Sequence, residues 1–313
     1  MNVWHLYRFF MKINKEDILH TGNLELLAKK AVEGFITGFH KSPFHGFSVE
    51  FAEHRQYNPG ESTKNIDWKL YGRTDKLYTK RFDEETNLRC QFLIDVSSSM
   101  HIGTKNELSK LQYAVWCTTV FTQLLRKQRD ASGVCFFDDK IKEYSKMASS
   151  TRHYRDLIHL MEPYLDYSTQ QNTTDISETL HTVANQVHRR SLIVLFTDFL
   201  EKGRDLDKLF DAIKHLKHNK HEVIVFHTLH QPSELNFDYG NQPMTFEDAE
   251  TGEQLKLQPN EYKQQYTTAM SDYIAKIKSK LMQYKIDYVA ADTSKSVELA
   301  LIPFLVKRKK ISR

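Results

Sequence analysis

Three loops of this chain offer hydroxyls and carboxylates at a spacing suited to holding a hard cation. Asp95-Val96-Ser97-Ser98-Ser99 leaves the apolar run Cys90–Asp95, and Asp198 follows the run Ser191–Thr197. Between them, Asn172-Thr173-Thr174-Asp175 precedes a helical stretch. Residues i, i+2 and i+4 of an extended segment point the same way, so Asp95, Ser97 and Ser99 converge on one point. Two carboxylates with several hydroxyls form an oxygen-only donor set, which suits Mg2+ or, in its place, Mn2+. Taken alone, Asp-x-Ser-x-Ser also describes a solvated loop that caps the next helix. Asp198 at a second strand end, with Thr174 between the two, weighs toward the ion.

Other chemistry finds less support. Cys90, Cys117 and Cys135 lie in apolar stretches without C-x-x-C spacing. That argues against a disulfide framework or a thiolate zinc site and fits three buried small hydrophobes in a reducing compartment. His215, His218 and His221 recur every third residue around a helix end, with no HExxH and no cysteine beside them. Positive side chains there complement the helix dipole, which is the plainer reading. No G-x-x-x-x-G-K-[ST] loop and no G-x-S-x-G elbow occurs, and Ser97 to Ser99 have no assignable base. Asp95 could act as the nucleophile of a metal-dependent phosphohydrolase. Such sites place a second carboxylate two residues on, where this chain has Ser97. The expectation is a binding module and not an enzyme.

The elements that must position these residues alternate. Cys90–Asp95, Gly133–Phe137, Ile141–Tyr144, Ser191–Thr197, Glu222–Leu229 and Asp287–Ala291 read as short buried strands. Leu108–Lys127, Tyr154–Leu160, Ile176–Val187, Leu206–Leu216, Tyr262–Tyr284 and Leu299–Val306 read as helices. Strand–helix–strand repetition predicts an α/β fold with a doubly wound, mostly parallel sheet covered on both faces. Ligands of such sheets bind beyond the carboxyl ends of the strands, where Asp95 and Asp198 fall. Residues 233–258 interrupt the alternation: Met244–Glu247 and Gln254–Leu257 flank Glu250-Thr-Gly-Glu253 as an inserted hairpin. Residues 1–88 read as a separate small module, helical to about residue 40 and then extended, and residues 89–313 as the large domain. Asn58-Pro59-Gly60 forms a turn in the first of these.

Asp95-x-Ser97-x-Ser99, Thr174 and Asp198 resemble, in order and residue by residue, the metal-ion-dependent adhesion site of von Willebrand factor A-type domains. Thr173 stands beside Thr174, and the family's usual Gly before the Thr is absent; Thr174 is chosen because Asp175 follows it, as in the related bacterial pattern. The resemblance implies a bound metal with one open position, filled by a carboxylate of a partner. Upstream, Gly46-Phe-Ser-Val-Glu-Phe51 leads into Glu53, Arg55, Tyr57 and Pro59-Gly60, followed by Ile66-Asp67-Trp68-Lys69 and Lys76-Leu77-Tyr78. This pattern is similar to bacterial domain-of-unknown-function family 58, whose members join it to an A-type domain. The family resemblance covers residues 40 to 310 and implies a MoxR-type AAA+ ATPase partner for an unidentified client. Many relatives carry two N-terminal membrane helices that this chain lacks. Arg55 can pair with Asp67, and Trp68 can pack on the A-type domain, as a structural staple or a partner contact.

Composition agrees with a folded, nearly neutral protein. Its 313 residues hold 44 Lys+Arg against 40 Asp+Glu, 40% hydrophobic and 12% aromatic residues, with 11 Gly and 7 Pro. That argues against disorder and low-complexity architectures. Residues 307–313 alone carry five basic side chains and no acidic one. The excess is a tail, and no nucleic-acid partner is expected. Met1–Met11 is apolar but interrupted by His5 and Arg8, short for a spanning helix and without a cleavage site. The expected setting is cytoplasmic; peripheral membrane contact through the first segment and the basic tail is the lesser alternative.

Overall fold

The computed structural model describes residues 24–40, 51–58, 63, 66–82, 88–103, 107–166, 176–200, 206–248, 252–297 and 299–300, without the side chains of 34–40, 51–55 and 80–82. These residues fall into two compact units, one from Phe39 to Asn87 and one formed by the chain on either side of it.

The smaller unit pairs β1 (Phe51–Gln56) with β2 (Tyr78–Phe82) as an antiparallel ribbon, Arg55 opposite Thr79. The short helix α2 (Trp68–Thr74) lies between them in sequence. Asp67 caps it: its Oδ1 accepts the amides of Lys69 at 3.0 Å and Leu70 at 3.1 Å. Two of the donors that a helix start leaves unpaired are thereby satisfied.

The larger unit is built on a six-stranded sheet. Its strands are β3 (Arg89–Asp95), β4 (Ala131–Phe137), β5 (Ile141–Tyr144), β6 (Leu192–Thr197), β7 (Glu222–Leu229) and β10 (Asp287–Asp292), in the order β10-β7-β6-β3-β4-β5. All neighbours run parallel except β5, which turns back antiparallel on β4 at the edge. The α/β fold with a doubly wound, mostly parallel sheet is thus present. A run such as Leu192-Ile-Val-Leu-Phe-Thr197 is apolar without alternation because both of its faces are covered. Successive residues serve opposite cores. Phe92, Ile94, Val194 and Phe196 meet α3 (Lys110–Lys127) and α4 (Thr151–Met161); Leu93, Ile193, Leu195 and Val225 meet α5 (Ile176–Gln186), α6 (Leu206–His218) and α7 (Pro259–Gln283).

The first helix, α1 (Leu24–His40), differs from the sequence grouping. Its buried Leu24, Leu27, Ala28, Ala31 and Val32 belong to the core that contains α3 and α4, so it is part of the larger unit. Glu25 of α1 also pairs with Arg126 of α3 at 3.3 Å. Helical periodicity reports that a face is apolar, but not which surface will cover it. The inserted hairpin is present as β8 (Met244–Glu247) and β9 (Gln254–Leu257), Phe246 opposite Leu255. Phe246 anchors it by stacking on Phe237, with centroids 5.5 Å apart. Cys90, Cys117 and Cys135 are buried free thiols.

Candidate functional site

The chain leaves β3 toward β4 on one side, and the later strands β6, β7 and β10 lie on the other. The carboxyl ends of β3 and β6 therefore flank the crevice at which the winding reverses. Asp95 ends β3 and Asp198 follows β6.

Asp95 is fully buried and organises the turn after it. Its Oδ1 accepts the Ser97 amide at 2.9 Å, and its Oδ2 accepts the Thr197 hydroxyl at 2.7 Å. The first bond folds the backbone back on the side chain, as aspartate does in turns; the second ties neighbouring strand ends together. A single turn, Ser98–His101, follows. It leaves the Ser97 and Ser99 hydroxyl oxygens 3.3 Å apart, both nearly closed to solvent.

Asp198 is equally buried. Its Oδ1 accepts the Leu200 amide at 3.1 Å, and its carbonyl accepts Nε2–H of His227 at 2.8 Å. Nε2 must carry the ring proton, because a carbonyl only accepts. His227 Nδ1 then accepts the Tyr288 hydroxyl at 2.9 Å. Burial pushes the His227 imidazole down to about 4, so it is neutral. Phe199 follows with φ at 57°, a left-handed backbone in a non-glycine residue. Its buried ring lies 6.5 Å from Phe210, and its carbonyl accepts the Tyr273 hydroxyl.

Lys110 completes the arrangement. It opens α3 and is 1% exposed; its Nζ lies 2.6 Å from Asp198 Oδ2 and 2.6 Å from Glu234 Oε1. Burial alone would raise the Asp198 carboxyl, and the adjacent ammonium outweighs it, so the carboxyl lies below its ordinary value. The two carboxylates likewise overcome the burial of Lys110 and hold its ammonium above its ordinary value. Glu234 Oε2 accepts the His230 amide at 2.7 Å. The His230 imidazole bridges Ser233 Oγ at 2.6 Å and Glu107 Oε2 at 2.7 Å.

Ser97 and Ser99 offer two hydroxyl oxygens to a hard cation. Octahedral oxygen ligands at about 2.1 Å place adjacent donors about 3 Å apart, close to the Ser97–Ser99 separation. Asp198 and Glu234 place two carboxylates against the one ammonium of Lys110. Of the expected ligands, Asp95, Ser97 and Ser99 share one turn, and Asp198 follows the adjacent strand β6 with its carboxylate on Lys110; Thr174 lies outside the described residues.

The profile described as "Protein of unknown function DUF58" matches residues 53–275, more than half of the chain. The chain belongs to the DUF58 family. "Uncharacterized protein Rv1480" of Mycobacterium tuberculosis is 23% identical over 177 residues, covering 56% of this chain and 55% of that relative. "Uncharacterized protein Mb1516" of Mycobacterium bovis matches equally. This DUF58 chain spans about half the length of the curated relatives it matches. Among solved structures, BatB from Bacteroides thetaiotaomicron is similar at 16% identity and a TM-score of 0.42, over 71% of this chain and 99% of that one. The SpRpn10 VWA domain is similar at 17% identity and a TM-score of 0.32, over 46% and 76%.

The other described residues expected of this DUF58 protein belong to the smaller unit. Asp67 caps α2, and Trp68 is 61% exposed, meeting Tyr71 edge-on. Tyr57 is half-buried and its amide bonds the Leu77 carbonyl at 2.9 Å. The Arg55 side chain, Pro59 and Gly60 lie outside the described residues. His215 meets His181 with 2.9 Å between Nδ1 atoms and lies 6.4 Å from His218 between ring centroids, whereas His221 accepts the Ser191 amide at 3.1 Å. Among the described residues no three His, Cys, Asp or Glu side chains form a metal cluster.

Sequence reasoning missed Lys110, Thr197, His227 and Glu234. One signal was available for Lys110. A cation in the first turn opposes the helix dipole, so a lysine there, just before an apolar run, calls for a carboxylate partner.

Proposed function

We propose that this protein is a non-enzymatic protein-interaction module. In this reading Asp95, Ser97, Ser99 and Thr174 hold Mg2+ or Mn2+ directly or through water, and Asp198 belongs to the ligand set or stands just behind it. The ion, when bound, supplies a hard acceptor for a carboxylate of a partner protein. The observation that carries this reading is that Asp95, Ser97 and Ser99 leave β3 at the sheet's winding reversal, where Asp198 leaves the adjacent strand β6. Because all four are buried, a partner's carboxylate enters only after local opening, and association well below the diffusion limit is its expected signature.

The setting follows from the family resemblance: an adaptor that couples a client to a MoxR-type AAA+ ATPase on the cytoplasmic side. No helix among the described residues is long and apolar enough to cross a membrane. The segments that a peripheral membrane adaptor would use, 1–11 and 307–313, lie outside the described residues. Against a phosphohydrolase with Asp95 as nucleophile stands Ser97, at the position two residues on where such sites place a second carboxylate.

Calorimetric titration of EDTA-stripped protein with Mg2+, beside Asp95→Ala, tests the site. Saturable binding by the wild type and none by the variant is expected; equal heats from both would overturn the reading. Capture of a purified MoxR-type ATPase with Mg2+ and with EDTA tests the partner, and capture indifferent to EDTA would refute ion-mediated docking.

A further inference from the structure

Lys110 is a buried ammonium that the Asp-x-Ser-x-Ser pattern does not call for. Enclosing it is costly unless its charge is matched and its protons are used. Asp198 and Glu234, at 2.6 Å each, do both. The three residues come from different elements: Asp198 from the turn after β6, Lys110 from the start of α3, and Glu234 from the single turn Gln231–Leu235 after β7. Each carboxylate spends its second oxygen on a backbone amide of its own turn, Asp198 on Leu200 and Glu234 on His230. A second strap runs alongside, because His230 also reaches Glu107, three residues before Lys110.

We infer that Lys110 is a positioning residue that couples the Asp198 turn of the candidate ion site to the His230–Leu235 turn. Two bonds to one ammonium hold the carboxylates at a fixed separation, so a displacement of Asp198 moves the acceptor of the His230 amide. The reverse holds for a displacement of Glu234. The N-cap of α3 fixes where the ammonium can sit: Ser109 accepts the Gln112 amide at 3.2 Å, and Gln112 accepts the Ser109 amide at 3.0 Å. The inference deepens the reading of Asp198 as part of the ion site, and its test needs no ion.

The test measures amide exchange by NMR in EDTA for Glu234→Ala, Asp198→Asn and Lys110→Met in the full chain. Each end is altered and the opposite end is read. Glu234→Ala is expected to speed exchange at Leu200, and Asp198→Asn at His230, each about tenfold, as for residues in direct energetic coupling. Amides of Val194 and Val225, in the central strands, serve as the folding control and stay protected. In Lys110→Met both turns exchange faster, and adding Glu234→Ala produces no further change at Leu200. Effects confined to the turn that carries each substitution would overturn the inference, even if one variant failed the folding control. Absence of Mg2+ binding would sink the proposed function and leave this coupling untouched.

Discussion

The Thr197 hydroxyl donates to Asp95 Oδ2 at 2.7 Å, joining the carboxyl ends of two adjacent parallel strands inside the core. Both residues are fully buried, and Ser97 holds the other carboxylate oxygen through its amide. Asp95 is thereby oriented by the protein before anything binds. Thr197→Val keeps the shape and removes a hydrogen-bond donor to a buried carboxylate. A loss of about 1–3 kcal/mol in urea denaturation is expected, with Thr197→Ser close to wild type. Equal stability of Val and Thr variants would show that the bond does not hold Asp95.

Lys110→Met leaves Asp198 and Glu234 buried without their counter-ion. Removing one partner of a buried ion pair costs about 3–5 kcal/mol, read as a lower urea midpoint. Adding Asp198→Asn to Lys110→Met is expected to cost less than the sum of the two single changes, since the pair is in contact. The contribution of the pair also has a pH window. Asp198 is held below its ordinary value, so its part is present above the unfolded carboxylate pKa and is lost as pH falls through the folded value. Lys110 is held above its ordinary value, so its part is full below the unfolded lysine pKa and is lost as pH rises through the folded value.

His227 makes the acid side steeper. Its folded value of about 4 lies below the ordinary 6.5, so the unfolded chain takes up a proton first as pH falls. Stability is then lost between those two values, by about 3 kcal/mol in all, and the slope levels off below the lower one. Denaturation midpoints of the wild type across this range should fall more steeply than those of His227→Asn. Parallel curves would mean that the imidazole does not titrate with folding.

Gly103 provides a test of how α3 is seated. A Cβ there would lie 2.7 Å from Ser109 Cα and 2.9 Å from its amide nitrogen, so Gly103→Ala must push against the backbone of the N-cap. Overpacking of this kind costs about 1–3 kcal/mol. Because Lys110 follows the cap directly, thermal unfolding should show the loss, and the Leu200 and His230 amides should exchange faster with it. Gly72, in α2, has open space around its Cβ position, and Gly72→Ala serves as the tolerated control.

Much of the fold was legible in the residue order. Glu222–Leu229 has the bounds expected of it, because an apolar run between polar breaks marks where two-sided burial begins and ends, and the exposed hairpin strand Met244–Glu247 has its expected bounds from its alternation. The three cysteines read as buried, and they are. The antiparallel turn of β5 and the packing of α1 with the larger unit were not legible. Pairing direction at a sheet edge and the partner of an apolar helix face both depend on segments remote in sequence.

The candidate site divides along the same line. Asp95, Ser97 and Ser99 were readable as a unit because two-residue periodicity is local, and Asp198 because strand ends are visible in the pattern. Lys110 stands 88 positions from Asp198 and 124 from Glu234, and no local period connects residues so far apart. His227, oriented by Tyr288, and Thr197, oriented toward Asp95, looked like ordinary strand residues for the same reason. The sequence by itself determined which donors are available: oxygen, at the ends of strands. Only the tertiary structure decided how their charge is balanced, because closing the core removes water and leaves a lysine from a distant helix to take its place.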